Sequence, residues 1–300
     1  MIVDTHFHAF PAGWFSAGDI PSGASKISSY PVSRHLDQLA ALGEPKLLLA
    51  VPVGFAPDPQ LMFENLRQAE RWKRESGNDS VRVLALLAMD PAFHREGLFA
   101  RPGVAGARLS VENGSPDALR ALGFPDGEWA GCFEFFARTG RQLHIRATRP
   151  DTLRFVLESL RPDLTVALDH FGLAAGQADP SEPGFRSVLE TAAARGNVFF
   201  KGPGFRTSLD PSGTAPMVET ILRICGPESV WLGATDAPFL WSDAASGRPL
   251  QELIPSARWA VDYVRRLSRR VCDGLAGEIP LRTEDLLGLN ALRVIERKPA

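Results

Sequence analysis

Eight short runs of apolar and β-branched residues recur along the chain, each followed by a stretch with helical periodicity. The runs are Ile2–His8, Lys46–Val53, Val81–Ala88, Val104–Val111, Gln142–Ala147, Leu164–His170, Asn197–Gly202 and Ser229–Asp236. Amphipathic segments lie between them: Ser33–Leu42, Gln60–Glu75, Glu128–Arg138, Thr152–Leu160, Phe185–Ala194 and Pro216–Ile224. A long Pro255–Leu275 segment and a final Thr283–Glu296 helix follow. This alternation is the mark of a parallel sheet covered by helices. Eight such units in 300 residues predict an α/β fold, a single (β/α)8 TIM barrel, with 1–300 forming one domain. An open doubly wound sheet is the alternative.

Two connections are longer than turns: Ala9–Pro31 after the first run and Ala237–Ile254 after the eighth. Both follow strand C-termini, the active-site face of a barrel. Their aromatics Trp14, Phe15, Tyr30, Phe239 and Trp241 either wall a pocket as a lid or anchor long surface loops. The 33 basic and 35 acidic residues nearly cancel, so neither nucleic acid nor an anionic membrane is an expected partner, and anion recognition must be local. Cys132, Cys225 and Cys272 are far apart and odd in number, which suits a reducing cytoplasm rather than a disulfide framework. No apolar run reaches the ~18 residues of a membrane span. The opening Met-Ile-Val-Asp-Thr-His lacks the basic region of a signal peptide.

Six histidines remain to be placed. On the first strand Asp4, His6 and His8 alternate, and a period of two puts all three on one face, with Val3, Thr5 and Phe7 on the other. Two imidazoles so spaced at a strand end can ligate one metal ion or grip one oxygen. In Gln142-Leu143-His144-Ile145-Arg146 the apolar pair claims the helix-facing side, so Gln142, His144 and Arg146 point inward. His170 ends the sixth strand and Asp236 the eighth. Four histidines and an aspartate therefore fall on one rim.

The motifs Asp4-x-His6-x-His8, His144, Asp169-His170-Phe171-Gly172, Thr235-Asp236-Ala237-Pro238 and Leu287-Gly288-Leu289-Asn290-Ala291-Leu292-Arg293 resemble the amidohydrolase superfamily, across nearly the whole chain. More narrowly they resemble its amidohydrolase-2 branch, which holds 2-pyrone-4,6-dicarboxylate lactonase, related lactone hydrolases and metal-dependent decarboxylases. The binuclear members' fourth-strand lysine is missing from Val104-Ala105-Gly106-Ala107-Arg108-Leu109-Ser110. The resemblance thus implies at most one divalent ion, zinc preferred, held by His6, His8, His144 and Asp236. A metal-free site in which the histidines polarise the carbonyl uses the same residues.

Arg108 shares the inward parity of Gly106 and Ser110, Arg146 lies on the fifth strand, and Arg206 follows the seventh. Their planar forks suit the carboxylates of a small anionic substrate, and the resemblance to the dicarboxylate lactonase strengthens Arg108 and Arg206. The leading expectation is hydrolysis of a small carboxylated lactone or similar cyclic ester. Asp236 activates water, His6, His8 and His170 polarise the carbonyl, and Asp4 orients a histidine. The rivals are a metal-dependent non-oxidative decarboxylase of an aromatic or muconate-type acid and an inactive barrel acting as a binding protein. His35 and His94 read as exposed or capping side chains. Arg265, Arg266, Arg269 and Arg270 read as a solvated helix face, and Trp129, Trp231 and Trp259 as packing aromatics. Related barrels often dimerise, so a homodimer is an expectation.

Overall fold

The computed structural model describes residues 1–14, 29–52, 58–111, 114–173, 179–237 and 257–296. Its strands run in chain order around one parallel sheet: β1 (Ile2–Phe7), β2 (Pro45–Ala50), β3 (Arg82–Ala88), β4 (Val104–Ser110), β5 (Gln142–Arg146), β6 (Val166–Asp169), β7 (Val198–Lys201) and β8 (Val230–Trp231). Backbone bonds join the last strand segment to the first. Thr5 N donates to Gly233 O at 2.8 Å, Asp236 N to His6 O at 2.7 Å and His8 N to Ala237 O at 2.7 Å. The result is the (β/α)8 barrel. No helix among the described residues is long and apolar enough to cross a membrane.

The helices are α1 (Val32–Ala40), α2 (Pro59–Ser76), α3 (Pro91–Arg95), α4 (Pro116–Ala121), α5 (Glu128–Thr139), α6 (Pro150–Ser159), α7 (Pro183–Arg195), α8 (Pro211–Cys225), α9 (Ala257–Gly274) and α10 (Asn290–Ile295). Several start by one local rule. Asp58, Asp90, Ser115, Glu182 and Asp210 accept a backbone N–H of the first turn, and proline stands next, where its missing donor costs nothing. This explains a correction: α8 begins at the Asp210-Pro211 cap and not at Pro216, which lies within the helix.

Strand parity sorts the core. Val3, Leu47, Leu49, Leu84, Leu86, Phe199 and Trp231 fill the barrel floor with Ala291 of α10. Phe7, Leu48, Ala107, Leu143, Ile145, Leu168 and Phe200 belong to the layer shared with the helices. The floor also fixes the eighth strand, which is shorter than the Ser229–Asp236 expected. After Trp231 the chain leaves the ladder: Leu232 N bonds Leu286 O at 2.8 Å, and Gly233 runs so close to its neighbours that a Cβ would lie 2.1 Å from Leu287 O and 2.4 Å from Val3 O.

The first strand does not hold a single parity. Val3 lies in the barrel floor, whereas Asp4 bonds His35 of α1, behind the barrel wall. Pairing with β2 is irregular between Asp4 and Phe7, and this break lets His6 and His8 face the interior although Asp4 does not. The expectation that Asp4 shares their face is therefore corrected. His35 is corrected too: it is fully buried and stacked on Phe7 at 4.4 Å. Of the aromatics proposed for a lid, Tyr30 is buried with its hydroxyl 2.8 Å from His35 Nδ1, so it anchors the loop end. Trp14 packs against the outer core. Phe15, Phe239 and Trp241 lie outside the described residues, as does most of both long connections.

Candidate active site

Above the apolar floor, polar side chains form two connected layers at the C-terminal ends of the strands. The lower layer centres on Asp169, the last residue of β6. Its Oδ2 accepts Arg108 Nε–H at 2.7 Å, and its Oδ1 lies 2.6 Å from Lys201 Nζ. Lys201 ends β7, is fully buried, and also donates to His144 Nδ1 at 2.9 Å. An ammonium has no acceptor, so His144 carries its proton on Nε2, which faces Gln142 Oε1 at 3.2 Å. Burial, with Lys201 second, pushes the His144 imidazole down to about 4 and keeps it neutral. Burial alone would raise Asp169, but Lys201, His6 and Arg108 outweigh it and hold the carboxyl well below its ordinary range. Lys201 is itself lowered by burial, against the pull of Asp169.

The upper layer is His6, His8, His170 and Asp236. His8 Nδ1 donates to the Val51 carbonyl at 2.8 Å; a carbonyl only accepts, so His8 Nε2 presents a lone pair. That nitrogen is 3.2 Å from His6 Nε2 and 3.5 Å from Asp236 Oδ1, and His6 Nε2 is 3.6 Å from the same oxygen. Ligand atoms of His6, His170 and Asp236 all lie within 4.8 Å of one another. Arg206 Nε donates to Asp236 Oδ2 at 2.7 Å, whereas Asp236 Oδ1 and His170 Nδ1 are buried without a hydrogen bond. Burial would raise the Asp236 carboxyl, yet Arg206 and His170 hold it well below the usual range. Burial lowers all three upper-layer imidazoles, with Lys201 adding to the effect on His6 and Arg206 to that on His170. His170, Phe171 and Asp236 have φ of 53°, 61° and 52°, a region that non-glycine residues seldom occupy and that turns these side chains across the rim.

These residues fit a single metal ion. The lone pairs of His8 Nε2 and Asp236 Oδ1 converge with no proton between them, His6 Nε2 stands alongside, and a cation would relieve their repulsion. A donor set of imidazole nitrogens with one carboxylate suits a zinc-like ion.

The strand ends thus bring together His6, His8, His170 and Asp236, with Arg206 on Asp236. His144 stands apart: its two nitrogens face Lys201 and Gln142, and His170 rather than His144 lies within reach of His6 and Asp236. Arg108 and Arg146 are buried at the ends of β4 and β5. Arg108 donates to Asp169 and to Pro52 O at 3.1 Å, and Arg146 Nη1 donates to Leu173 O at 3.3 Å. Sequence reasoning gave no role to Asp169 or Lys201. The signal was present, because apolar Val166 and Leu168, and Val198 and Phe200, claim the outer face and leave both charged residues inward.

A (β/α)8 barrel whose strand ends converge imidazoles, a carboxylate and guanidinium groups has the architecture of a barrel enzyme. The chain belongs to the amidohydrolase family, whose amidohydrolase-2 model matches residues 3–257. No curated protein matches it. Among solved structures it is similar to a probable 2-pyrone-4,6-dicarboxylic acid hydrolase of Acinetobacter baumannii with bound citric acid, at 16% identity, 99% coverage of both chains and a TM-score of 0.71. It is likewise similar to an amidohydrolase of Burkholderia multivorans with bound zinc, at 16% identity, 99% coverage of both chains and a TM-score of 0.70. A Pseudomonas putida protein provisionally described as a 2-pyrone-4,6-dicarboxylic acid hydrolase is 22% identical, with 98% of this chain and 97% of that one covered and a TM-score of 0.68.

Proposed function

We propose that the chain opens a small carboxylated lactone or similar cyclic ester by hydrolysis. The observation that carries this reading is a cationic surplus around a pair of ionised carboxylates. Among the described residues Arg108 and Lys201 meet Asp169 and Arg206 meets Asp236, three cations about two carboxylates, while the imidazoles are held neutral. Buried charge left uncompensated is costly, so a site of this composition favours an anionic guest. The printed descriptions of the relatives from Acinetobacter baumannii and Pseudomonas putida agree with that preference.

In this reading Asp236 Oδ1, which has no hydrogen bond, takes the proton of the attacking water. Arg206 holds the other oxygen, so a substrate carboxylate that draws the guanidinium to itself also raises the basicity of Asp236. Arg108 and Arg146 fix the substrate's anionic groups, which turns an encounter into an oriented approach. His170 Nδ1 donates to the developing oxyanion when it carries the proton. His6, His8 and Asp236, with His170 in reach, would hold one divalent ion, zinc preferred. When bound, such an ion supplies Lewis-acid polarisation of the carbonyl oxygen. The three free cysteines accord with a reducing cytoplasm.

The test is a panel of carboxylated lactones and of aromatic or muconate-type acids, followed by acid release and CO₂ release in parallel. Acid release that Asp236→Asn abolishes is the expected result. CO₂ release without acid release would instead make the chain a decarboxylase, and unchanged lactone turnover in Asp236→Asn would remove the general base from this account.

A further inference from the structure

The strained backbone of Asp236 needs a counterweight, and the structure places one behind the barrel wall. Asp4 is buried, and its two carboxylate oxygens accept four donors. Oδ1 takes His6 N–H at 3.1 Å and Thr235 N–H at 3.0 Å; Oδ2 takes Thr235 Oγ1–H at 2.6 Å and His35 Nε2–H at 2.8 Å. His35 is fixed in turn by its stack on Phe7, by Tyr30 Oη at its Nδ1 and by complete burial on α1. One side chain therefore grips the backbone of His6 and the residue just before Asp236, across a sequence separation of 231. None of these contacts faces the barrel interior. The same grip sits where β1 breaks its parity, between Asp4 and Phe7.

We propose that Asp4, His35 and Thr235 form a buried clasp that positions Asp236 at its φ of 52° against His6 without touching substrate. The assignment rests on the reading of Asp236 as the general base. An αL residue other than glycine persists where its surroundings over-determine it. Here the surroundings are the Asp4–Thr235 bonds on one side and His6 O, which accepts Asp236 N–H at 2.7 Å, on the other. Thr235 Oγ1 matters more than shape, since valine has the same outline and no donor.

The test compares Thr235→Val with Thr235→Ser, and His35→Leu supplies a second way to loosen Asp4. In crystal structures of Thr235→Val and His35→Leu, Asp236 Oδ1 should move away from His6 Nε2, from which it stands 3.6 Å here. Thr235→Ser should restore its place. A displacement of about 1 Å should lower kcat roughly 100-fold on the lactone substrate, with KM changed far less because Arg108 and Arg146, which fix the substrate's anionic groups, do not bond Asp236. A merely structural role would lower the melting temperature and leave the carboxylate and the kcat-to-KM split where they were. Asp236 unmoved in both Thr235→Val and His35→Leu overturns the clasp. If the parent chain opens no lactone while the carboxylate still moves, the clasp stands and the proposed function fails.

Discussion

Asp169→Asn is the sharpest perturbation of this molecule, because it keeps the shape of the side chain and removes the one carboxylate between two buried cations. Lys201 Nζ lies 2.6 Å from Asp169 Oδ1 and Arg108 Nε 2.7 Å from Oδ2, with Lys201 fully buried and Arg108 nearly so. Breaking a buried ion pair from one side costs ~3–5 kcal/mol, most of it the penalty of the charge left behind. For a chain of this size that lowers the melting midpoint by roughly 5–8 °C. The decisive arm is Lys201→Met made in both backgrounds. In the parent it removes a cation that is paired, so it destabilises; in Asp169→Asn it removes a cation that is unpaired, so it stabilises. Thermal and urea unfolding of the four proteins reads that reversal of sign directly. If Lys201→Met destabilises by the same amount in both backgrounds, the ammonium is not coupled to Asp169 and the account of the lower layer is wrong.

Stability should fall on acidification in two stages. His6, His8, His144 and His170 have folded-state values lowered by burial, so below about pH 6.5 the unfolded chain binds protons that the folded chain refuses. His144 alone, pushed down to about 4, accounts for about 3 kcal/mol lost between those two pH values. Asp169 and Asp236, both held well below the ordinary carboxyl range, steepen the loss below about pH 4. Urea midpoints measured from pH 7 to pH 3 would refute this if they were flat above pH 5. The purified chain should bind one equivalent of zinc that the double variant His6→Ala, His8→Ala loses, as metal analysis after dialysis would show. Retained stoichiometry in that variant would place the metal elsewhere. Gly233→Ala should prevent closure of the barrel, since its Cβ meets two backbone oxygens that cannot rotate away. A soluble Gly233→Ala protein with a parent-like melting curve would contradict the close approach at the floor.

The barrel was legible because its evidence is repeated eight times as apolar runs of the right spacing, and a misjudged boundary does not disturb the count. The placement of His6, His8, His170 and Asp236 on one rim was legible for a related reason, since each lies near or just beyond the C-terminal end of a strand, where the fold dictates the rim. What escaped the sequence was local. The parity of β1 breaks after Asp4, and nothing in Asp4-Thr5-His6 announces an irregular pairing with β2. His35 looks like any helical histidine until Asp4 and Tyr30 are placed beside it, which requires the packing of α1 against the wall. Lys201 was within reach, because Phe199 and Lys201 alternate with Val198 and Phe200. A lysine pointing into a barrel becomes plausible only once Asp169 is known to meet it.

The seam of the barrel and its chemistry are made of the same atoms. The bonds from Asp236 N to His6 O and from His8 N to Ala237 O that join the last strand segment to the first also set the imidazoles and the carboxylate side by side. A growing chain cannot assemble this site until the segment carrying Asp236 has been synthesised, and a partly folded barrel open at this seam presents His6 and His8 with no carboxylate opposite them. Any signal from the assembled site, whether bound metal or turnover, therefore reports that the last strand segment has met the first. The site can serve as a built-in reporter of complete folding, and loss of its activity should accompany opening of the seam even where most of the helical content survives.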